Sequence, residues 1–76
     1  MISSWEVYEI VKKYIEPDLP PFTEFTVETT PYDLVDIETE KHYILYNIEL
    51  NAITYIQKKT GREVIVAKID GEWKIV

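Results

Sequence analysis

Cysteine is absent from the sequence, and histidine occurs once, at His42. The chain can therefore form neither disulfide bonds nor thiolate metal sites, and a single imidazole does not make an ordinary zinc site. The only serines, Ser3 and Ser4, lie next to the N-terminus, whereas a catalytic triad needs a rigidly held nucleophile. We expect His42 to be a solvated group at the start of a strand; the alternative is a pH-sensitive contact.

Glycine is almost as scarce, because Gly61 and Gly71 are the only two. They do not make a phosphate-binding loop or a dinucleotide-binding fingerprint, and the spacing of the acidic residues matches no calcium loop. We therefore expect no metal, no cofactor and no enzymatic activity. A pair of carboxylates that act as acid and base stays open, since such pairs come from distant positions in a chain.

Long apolar runs and a basic leader are missing as well, which argues against a membrane span and a secretory signal. We expect a cytoplasmic protein that forms one small domain over residues 1–76, with a thin margin for a single core. Methionine and glutamine occur once each, and charged residues make up 29% of the chain. This composition is typical of proteins from hyperthermophiles.

Several segments carry clear secondary-structure signals. Residues 3–16 place apolar side chains at helical spacing behind a capping serine, and Pro17 ends the predicted helix. Residues 23–30 and 32–38 alternate between apolar and polar side chains, which predicts two half-buried strands. Two β-rich runs flank Asp70-Gly71, and this pair supplies the positive backbone angles that a two-residue hairpin turn needs.

The segment from His42 to Gly61 fits two structures. As a helix, it places isoleucines on one stripe, and Gly61 follows lysines that favour a helix C-terminus. As a strand, it alternates, and the lysine-rich end fits a hairpin loop with glycine in the left-handed position. Between residues 43 and 56, eight of fourteen residues are β-branched or aromatic. We therefore favour a strand that breaks or bends near Leu50-Asn51.

These segments predict an α+β fold, in which one N-terminal helix packs on an antiparallel meander of five or six strands. The alternative order is helix-strand-strand-helix-strand-strand, with residues 41–59 helical. Both arrangements place the N-terminal helix against a sheet. They differ only in the middle third of the chain, which is either strand or helix.

The C-terminal third, "YIQKKTGREVIVAKIDGEWKIV", resembles the end of a PepSY-type module, in which two strands flank a "KTG"-like turn. Its tail, "DGEWKIV", is similar to the closing strand of NTF2-like and cystatin-like folds. The resemblance implies a helix on a curved antiparallel sheet that binds something in the sheet or at its edge. PepSY and cystatin members include protease inhibitors. No site residue is carried over, because no family site motif matches.

Charge is distributed unevenly along the chain. Residues 16–40 contain eight acidic residues and no lysine or arginine, whereas residues 57–76 contain five basic and three acidic residues. The simpler interpretation is that these acidic residues form a solvated face that keeps the protein soluble. The functional interpretation is a protein-binding module, inhibitory or regulatory, that docks a basic protein partner. Direct nucleic-acid binding is disfavoured by a pI of about 4.6. The predicted acidic face comprises Glu24, Glu28, Asp33, Asp36 and Glu38.

Ten aromatic residues are many for 76 positions, and most must pack in the core or across strands. Trp5, Tyr43 and Tyr55 are the candidates for exposed aromatics at an interface. A second hypothesis is a small-ligand-binding domain with a pocket between helix and sheet, lined by Tyr14, Phe25, Tyr46 and Trp73. A third is a homo-oligomer that pairs exposed strand edges.

Overall fold

In the part of the chain that the structure describes, an α-helix is followed by six strands that form one sheet. The structure is a computed structural model. It describes residues 2–24, 26–29 and 34–76, with the backbone alone at 24, 26–29, 34 and 35. The elements are α1 (Ser4–Tyr14), a 3-10 helix (Phe22–Glu24), β1 (Thr26–Thr29), β2 (Leu34–Glu38), β3 (His42–Asn47), β4 (Ala52–Gln57), β5 (Glu63–Ile69) and β6 (Glu72–Ile75).

The helix begins where its capping residue predicts. Ser3 Oγ accepts the amide N–H of Glu6 at 3.2 Å, and this bond satisfies one of the first-turn donors that lack a helical partner. The Ser3 hydroxyl also donates to Glu6 Oε1 at 3.3 Å. The helix ends at Tyr14, two residues before the end of the predicted segment 3–16, and Pro17 follows it as predicted. In the described residues, no helix is long and apolar enough to cross a membrane.

The six strands follow one another in space in the order in which they occur in the chain, and each neighbouring pair is antiparallel. This arrangement confirms the predicted α+β fold with an antiparallel meander. Strands β3 and β4 occupy the ambiguous segment, so the helical alternative for residues 41–59 is wrong. A turn over residues 48–51 separates them, and Asn51 adopts φ +52°, which asparagine tolerates better than most residues. The break falls where the sequence predicts it.

The predicted C-terminal hairpin is also confirmed. Asp70 and Gly71 have φ values of +53° and +80°, as expected for a two-residue turn whose central residues are both left-handed. At the β4–β5 connection, Gly61 has φ +73°, and its amide donates to the Gln57 carbonyl at 2.8 Å. Glycine suits this position because a side chain would disfavour that backbone angle.

The core lies between the helix and one face of the sheet, which we call the covered face. Strand alternation places Ile37, Ile44, Ile53, Tyr55 and Val66 on it, and each has 0% exposure. The helix contributes Val7 and Val11 to the same cluster, and the linker contributes Leu19. The alternate residues of each strand point to the second face, which we call the open face because neither described helix lies on it.

Candidate functional site

The open face has an apolar centre. One register row runs Glu38–Tyr43–Ile56–Glu63 across β2 to β5, and the next runs Asp36–Leu45–Thr54–Ile65. The apolar members of both rows are half-buried by their strand neighbours, in contrast to the fully buried core. Glu38 and Glu63 stand at the two ends of the first row. The open face is therefore an apolar strip with carboxylates at its border.

Two of the predicted acidic residues have internal partners. Asp36 Oδ2 accepts a hydrogen bond from the Tyr43 hydroxyl at 3.2 Å. Asp36 Oδ1 is buried and meets no donor among the described residues. Glu38 is paired with the ammonium group of Lys58, and both side chains are exposed to water. Glu38 is therefore neutralised within the chain, whereas among the described residues Asp36 meets a donor at one of its two oxygens.

The remaining acidic positions lie in different parts of the fold. Glu28 lies directly opposite Asp36 in the β1–β2 register, so the two positions share the open face. Glu24 ends the 3-10 helix that precedes β1. Asp33 lies outside the described residues. The register therefore brings Glu28, Asp36 and Glu38 together on one face, as the alternation predicts, whereas their binding role stays a prediction.

The three candidate exposed aromatics have three different environments. Trp5 is 48% exposed, as predicted, and its ring packs edge-on against Phe22 at 5.3 Å between ring centroids. Tyr43 is half-buried on the open face. The prediction for Tyr55 is wrong, because its side chain has 0% exposure on the covered face. It lies directly opposite Ile44 in the register, so β3 and the helix enclose its ring.

The expectation of a solvated His42 is also wrong. Its side chain is only 6% exposed, because it starts β3 on the covered face. Thr39 Oγ1 accepts the amide N–H of His42 at 2.8 Å and that of Lys41 at 3.2 Å, and it lies 2.9 Å from His42 Nδ1. The Thr39 oxygen already accepts hydrogen bonds from two backbone amides. The Thr39 hydroxyl can therefore donate its proton to His42 Nδ1, which must then be unprotonated. Burial lowers the pKa of His42, and this effect exceeds the opposing effect of Glu16.

A buried tyrosine joins the sheet to the end of the helix. The Tyr55 hydroxyl donates to Glu16 Oε2 at 3.1 Å, and the tyrosine ring packs at 5.5 Å from the His42 ring. Burial and the bond to Glu16 raise the pKa of Tyr55 to about 12. Glu16 Oε1 accepts the amide of Asp18 at 3.2 Å, so one carboxylate also orders the linker after the helix. These bonds tie β4 to Glu16 behind the helix and to the linker that follows it.

A first cleft of about 480 Å³ opens beside this cluster, between the linker and the β2–β3 turn. Asp18, Pro20, Thr39, Glu40, Lys41 and His42 line it. Its carboxylates and imidazole do not converge: among the described residues, no three potential ligands are close enough to hold a metal ion.

A second groove, of about 470 Å³, lies between the helix and the β5–β6 side of the covered face. Its lining residues are Ile2, Glu6, Ile10, Tyr46, Ile48, Asn51, Lys68 and Trp73. The Tyr46 hydroxyl donates to Asn51 Oδ1 at 2.7 Å, which orients the asparagine amide. Burial raises the pKa of Tyr46, and the nearby Glu6 carboxylate adds to that shift. We call this site the helix–sheet groove.

The predicted pocket residues only partly converge there. Tyr46 and Trp73 line the helix–sheet groove, as the pocket hypothesis expects. Tyr14 does not, because it lies at the helix C-terminus with its ring beside the Lys13 ammonium, 5.2 Å from the ring centroid. Phe25 lies outside the described residues. Glu6 and Lys68 also line this groove and are not among the predicted pocket residues. Alternation from Val64 and Val66 places Lys68 on the covered face, where a charge is unexpected.

Comparisons with protein-family models, with characterised proteins and with solved structures found no match. The resemblance to PepSY-type, NTF2-like and cystatin-like modules therefore stays a prediction, and function must be argued from the residues of this chain.

Proposed function

We propose that the protein is a non-enzymatic protein-binding module, and that it docks a basic partner on the open face of its sheet. The observation that carries this proposal is the apolar strip Tyr43, Leu45, Ile56 and Ile65, on which neither described helix lies. Apolar patches of this kind on soluble proteins mark interaction sites. Interfaces typically have an apolar centre and a polar border, and tyrosine is enriched in them.

The charge of the border supports a basic partner. Glu28, Asp36 and Glu63 share the open face with the apolar strip. The lysine of the Glu38 pair lies at the β4–β5 turn, so it offsets only one end of the acidic border. A negative border attracts cationic proteins, speeds their association and repels nucleic acid.

The apolar half of the proposal is tested with two leucine variants. The tagged protein is incubated with nuclease-treated lysate, and the affinity of the captured partner is then measured with purified protein. Leu45→Ser removes an apolar side chain from the open face, whereas Leu50→Ser makes the same change in a turn, where the leucine is 71% exposed. We expect Leu45→Ser to weaken binding by about tenfold or more and Leu50→Ser to leave it unchanged. Equal binding by both variants would contradict the proposal.

The electrostatic half is tested with two charge reversals. Glu28→Lys changes the open face, and Glu9→Lys makes the same change on the exposed side of the helix. We expect Glu28→Lys alone to weaken binding and to flatten its dependence on salt, because the attraction acts over roughly 10 Å at 0.1 M salt. Sedimentation of the isolated protein separates this proposal from self-association, in which the open face would bind a second copy instead.

A further inference from the structure

The helix–sheet groove combines a few partly exposed apolar side chains with two opposite charges. Ile2, Ile10, Ile48 and Trp73 pack against the core with part of their surface in water. Glu6 and Lys68 are both exposed at the groove. These two side chains do not pair, because the ion pair between Lys58 and Glu38 is the only one in the described parts of the chain. No described residue bonds to the Lys68 ammonium group.

The position of Lys68 is the least expected feature of the groove. The covered-face side of β5 runs Val64, Val66 and Lys68, and Lys68 lies opposite Trp73 of β6. A lysine in that row breaks an apolar pattern and places a cation beside an indole ring and the helix. Its backbone amide donates to the Asn51 carbonyl at 3.0 Å, so its strand is anchored to the turn that forms the groove wall.

The carboxylate on the facing wall is also held in place. Glu6 belongs to the first turn of the helix, where its Oε1 accepts the Ser3 hydroxyl. Tyr46 and Asn51 also line the groove, and the hydrogen bond from the Tyr46 hydroxyl to Asn51 Oδ1 leaves the asparagine NH₂ group free to donate. The groove therefore offers an anion, a cation and an amide donor beside partly exposed isoleucine and tryptophan side chains.

We propose that the helix–sheet groove binds a small zwitterion with an apolar body, and that a free α-amino acid with an aliphatic or aromatic side chain is the simplest such ligand. Lys68 binds the ligand's carboxylate and Glu6 its ammonium group. The isoleucines and Trp73 cover its side chain. The groove contains about 470 Å³ of accessible space and is open to water, so it has room for a ligand of this size and leaves part of the ligand solvated.

The test uses the fluorescence of Trp73. In a Trp5→Phe background, Trp73 is the only tryptophan, since the chain has two. L-leucine is titrated into this protein, and a saturable change with a Kd on the order of 1 mM is expected for a ligand of this size in an open groove. Amide chemical shifts around Lys68 and Ile10 provide a second readout. No saturable change up to about 50 mM would overturn the proposal.

Two ligand analogues test whether both charges are needed. 4-Methylpentanoate lacks the amine of leucine, and 3-methylbutylamine lacks its carboxylate. Each is expected to bind at least about tenfold more weakly than leucine, because one charged wall of the groove is then left without a partner. If either analogue binds as well as leucine, the site does not select a zwitterion.

Four charge-neutralising variants test the assignment of the two walls. Lys68→Met and Glu6→Gln are each expected to weaken leucine binding about tenfold or more. Glutamine keeps the capping interaction with Ser3, so the helix should stay intact. The matched controls are Lys74→Met, on the open face of β6, and Glu9→Gln, on the same helix but outside the groove. Weakening by the controls to the same extent as by the groove variants would overturn the assignment.

Discussion

The two faces of the sheet contain the same kinds of side chain but place them in different environments. Ile44 and Ile53 on the covered face are fully buried, whereas Ile56 and Ile65 on the open face are half-buried. An antiparallel sheet with one covered face usually presents polar residues on the other. Here β3 and β4 are apolar on both faces. The apolar side chains of the open set form the surface on which we propose that a partner docks.

The largest expected effect comes from truncating one isoleucine on each face. Ile44→Ala removes a fully buried side chain and should lower the free energy of unfolding by about 2–5 kcal/mol, because it leaves a cavity under the helix. Ile56→Ala should cost roughly half as much or less, since that side chain already contacts water. Urea unfolding of both variants measures the difference. Equal losses would mean that the open face is also covered in solution, for example by a second copy.

The covered face should also be the pH-sensitive one, through His42. Its pKa in the folded state is lowered, so the unfolded chain binds more protons near the ordinary value of 6.5. The contribution of His42 to the free energy of unfolding should be complete above that value. It should fall as the pH drops below it, by at most about 1.4 kcal/mol per pH unit. Protonation of Nδ1 also removes the acceptor that the Thr39 hydroxyl uses.

Urea midpoints between pH 7.5 and 5.5 measure this dependence, with His42→Gln as the control. The variant should lose the slope over this range, whatever its absolute stability. A slope that persists in His42→Gln would assign the acid sensitivity to other groups.

A pair of tyrosine variants compares one hydroxyl from each face. Tyr55→Phe should lower the free energy of unfolding by about 1 kcal/mol at neutral pH, because the Glu16 carboxylate loses the hydroxyl that donates to it. Tyr43→Phe should cost less, since water reaches its half-buried surroundings. The pKa of Tyr55 is raised to about 12, so its stabilising effect should be complete below pH 10 and be lost as the pH rises from 10 to 12.

Urea unfolding at pH 7 and at alkaline pH distinguishes the two tyrosines. The alkaline loss of stability should be smaller in Tyr55→Phe than in Tyr43→Phe. A larger alkaline loss in Tyr55→Phe than in Tyr43→Phe would contradict the prediction, because it would mean that Tyr43, rather than Tyr55, is the tyrosine with the raised pKa.

The smallest effect is expected at the ion pair between Glu38 and Lys58. Both side chains are exposed, so Lys58→Ala should change the free energy of unfolding by about 0.5 kcal/mol or less, and added salt should abolish the change. Unfolding at low and high salt measures it, and Glu38→Gln serves as the matched variant. A loss above about 1 kcal/mol would show that the open-face border is structural rather than available to a partner.

Local signals in the sequence were sufficient for most of the fold. Ser3 marks the start of the helix, Asp70-Gly71 marks the last hairpin, and the break near Asn51 follows from the length limit of strands. Each of these signals acts through the backbone of a few neighbouring residues. They therefore work before any tertiary contact is known.

The candidate sites were much less predictable. The sequence predicts an exposed side chain for both Tyr43 and Tyr55, although the two residues lie on opposite faces of the sheet. Alternation in β3 separates two sets of side chains, but both sets are apolar, so the pattern does not tell which set faces the helix. His42 belongs to the covered set and is buried for that reason. Lys68 is a groove residue only because the helix N-terminus lies over the β5–β6 side of the sheet.

By itself, then, the sequence determined the elements, their order and the α+β class, because capping, turn chemistry and alternation are properties of short segments. It also excluded the sites that need cysteine, several histidines or glycine-rich loops. Only the tertiary structure decided which sheet face is covered, which tyrosine is buried, and that Glu6 and Lys68 meet at one groove. These outcomes depend on where the helix packs, and that position is set by the summed burial of residues far apart in the chain.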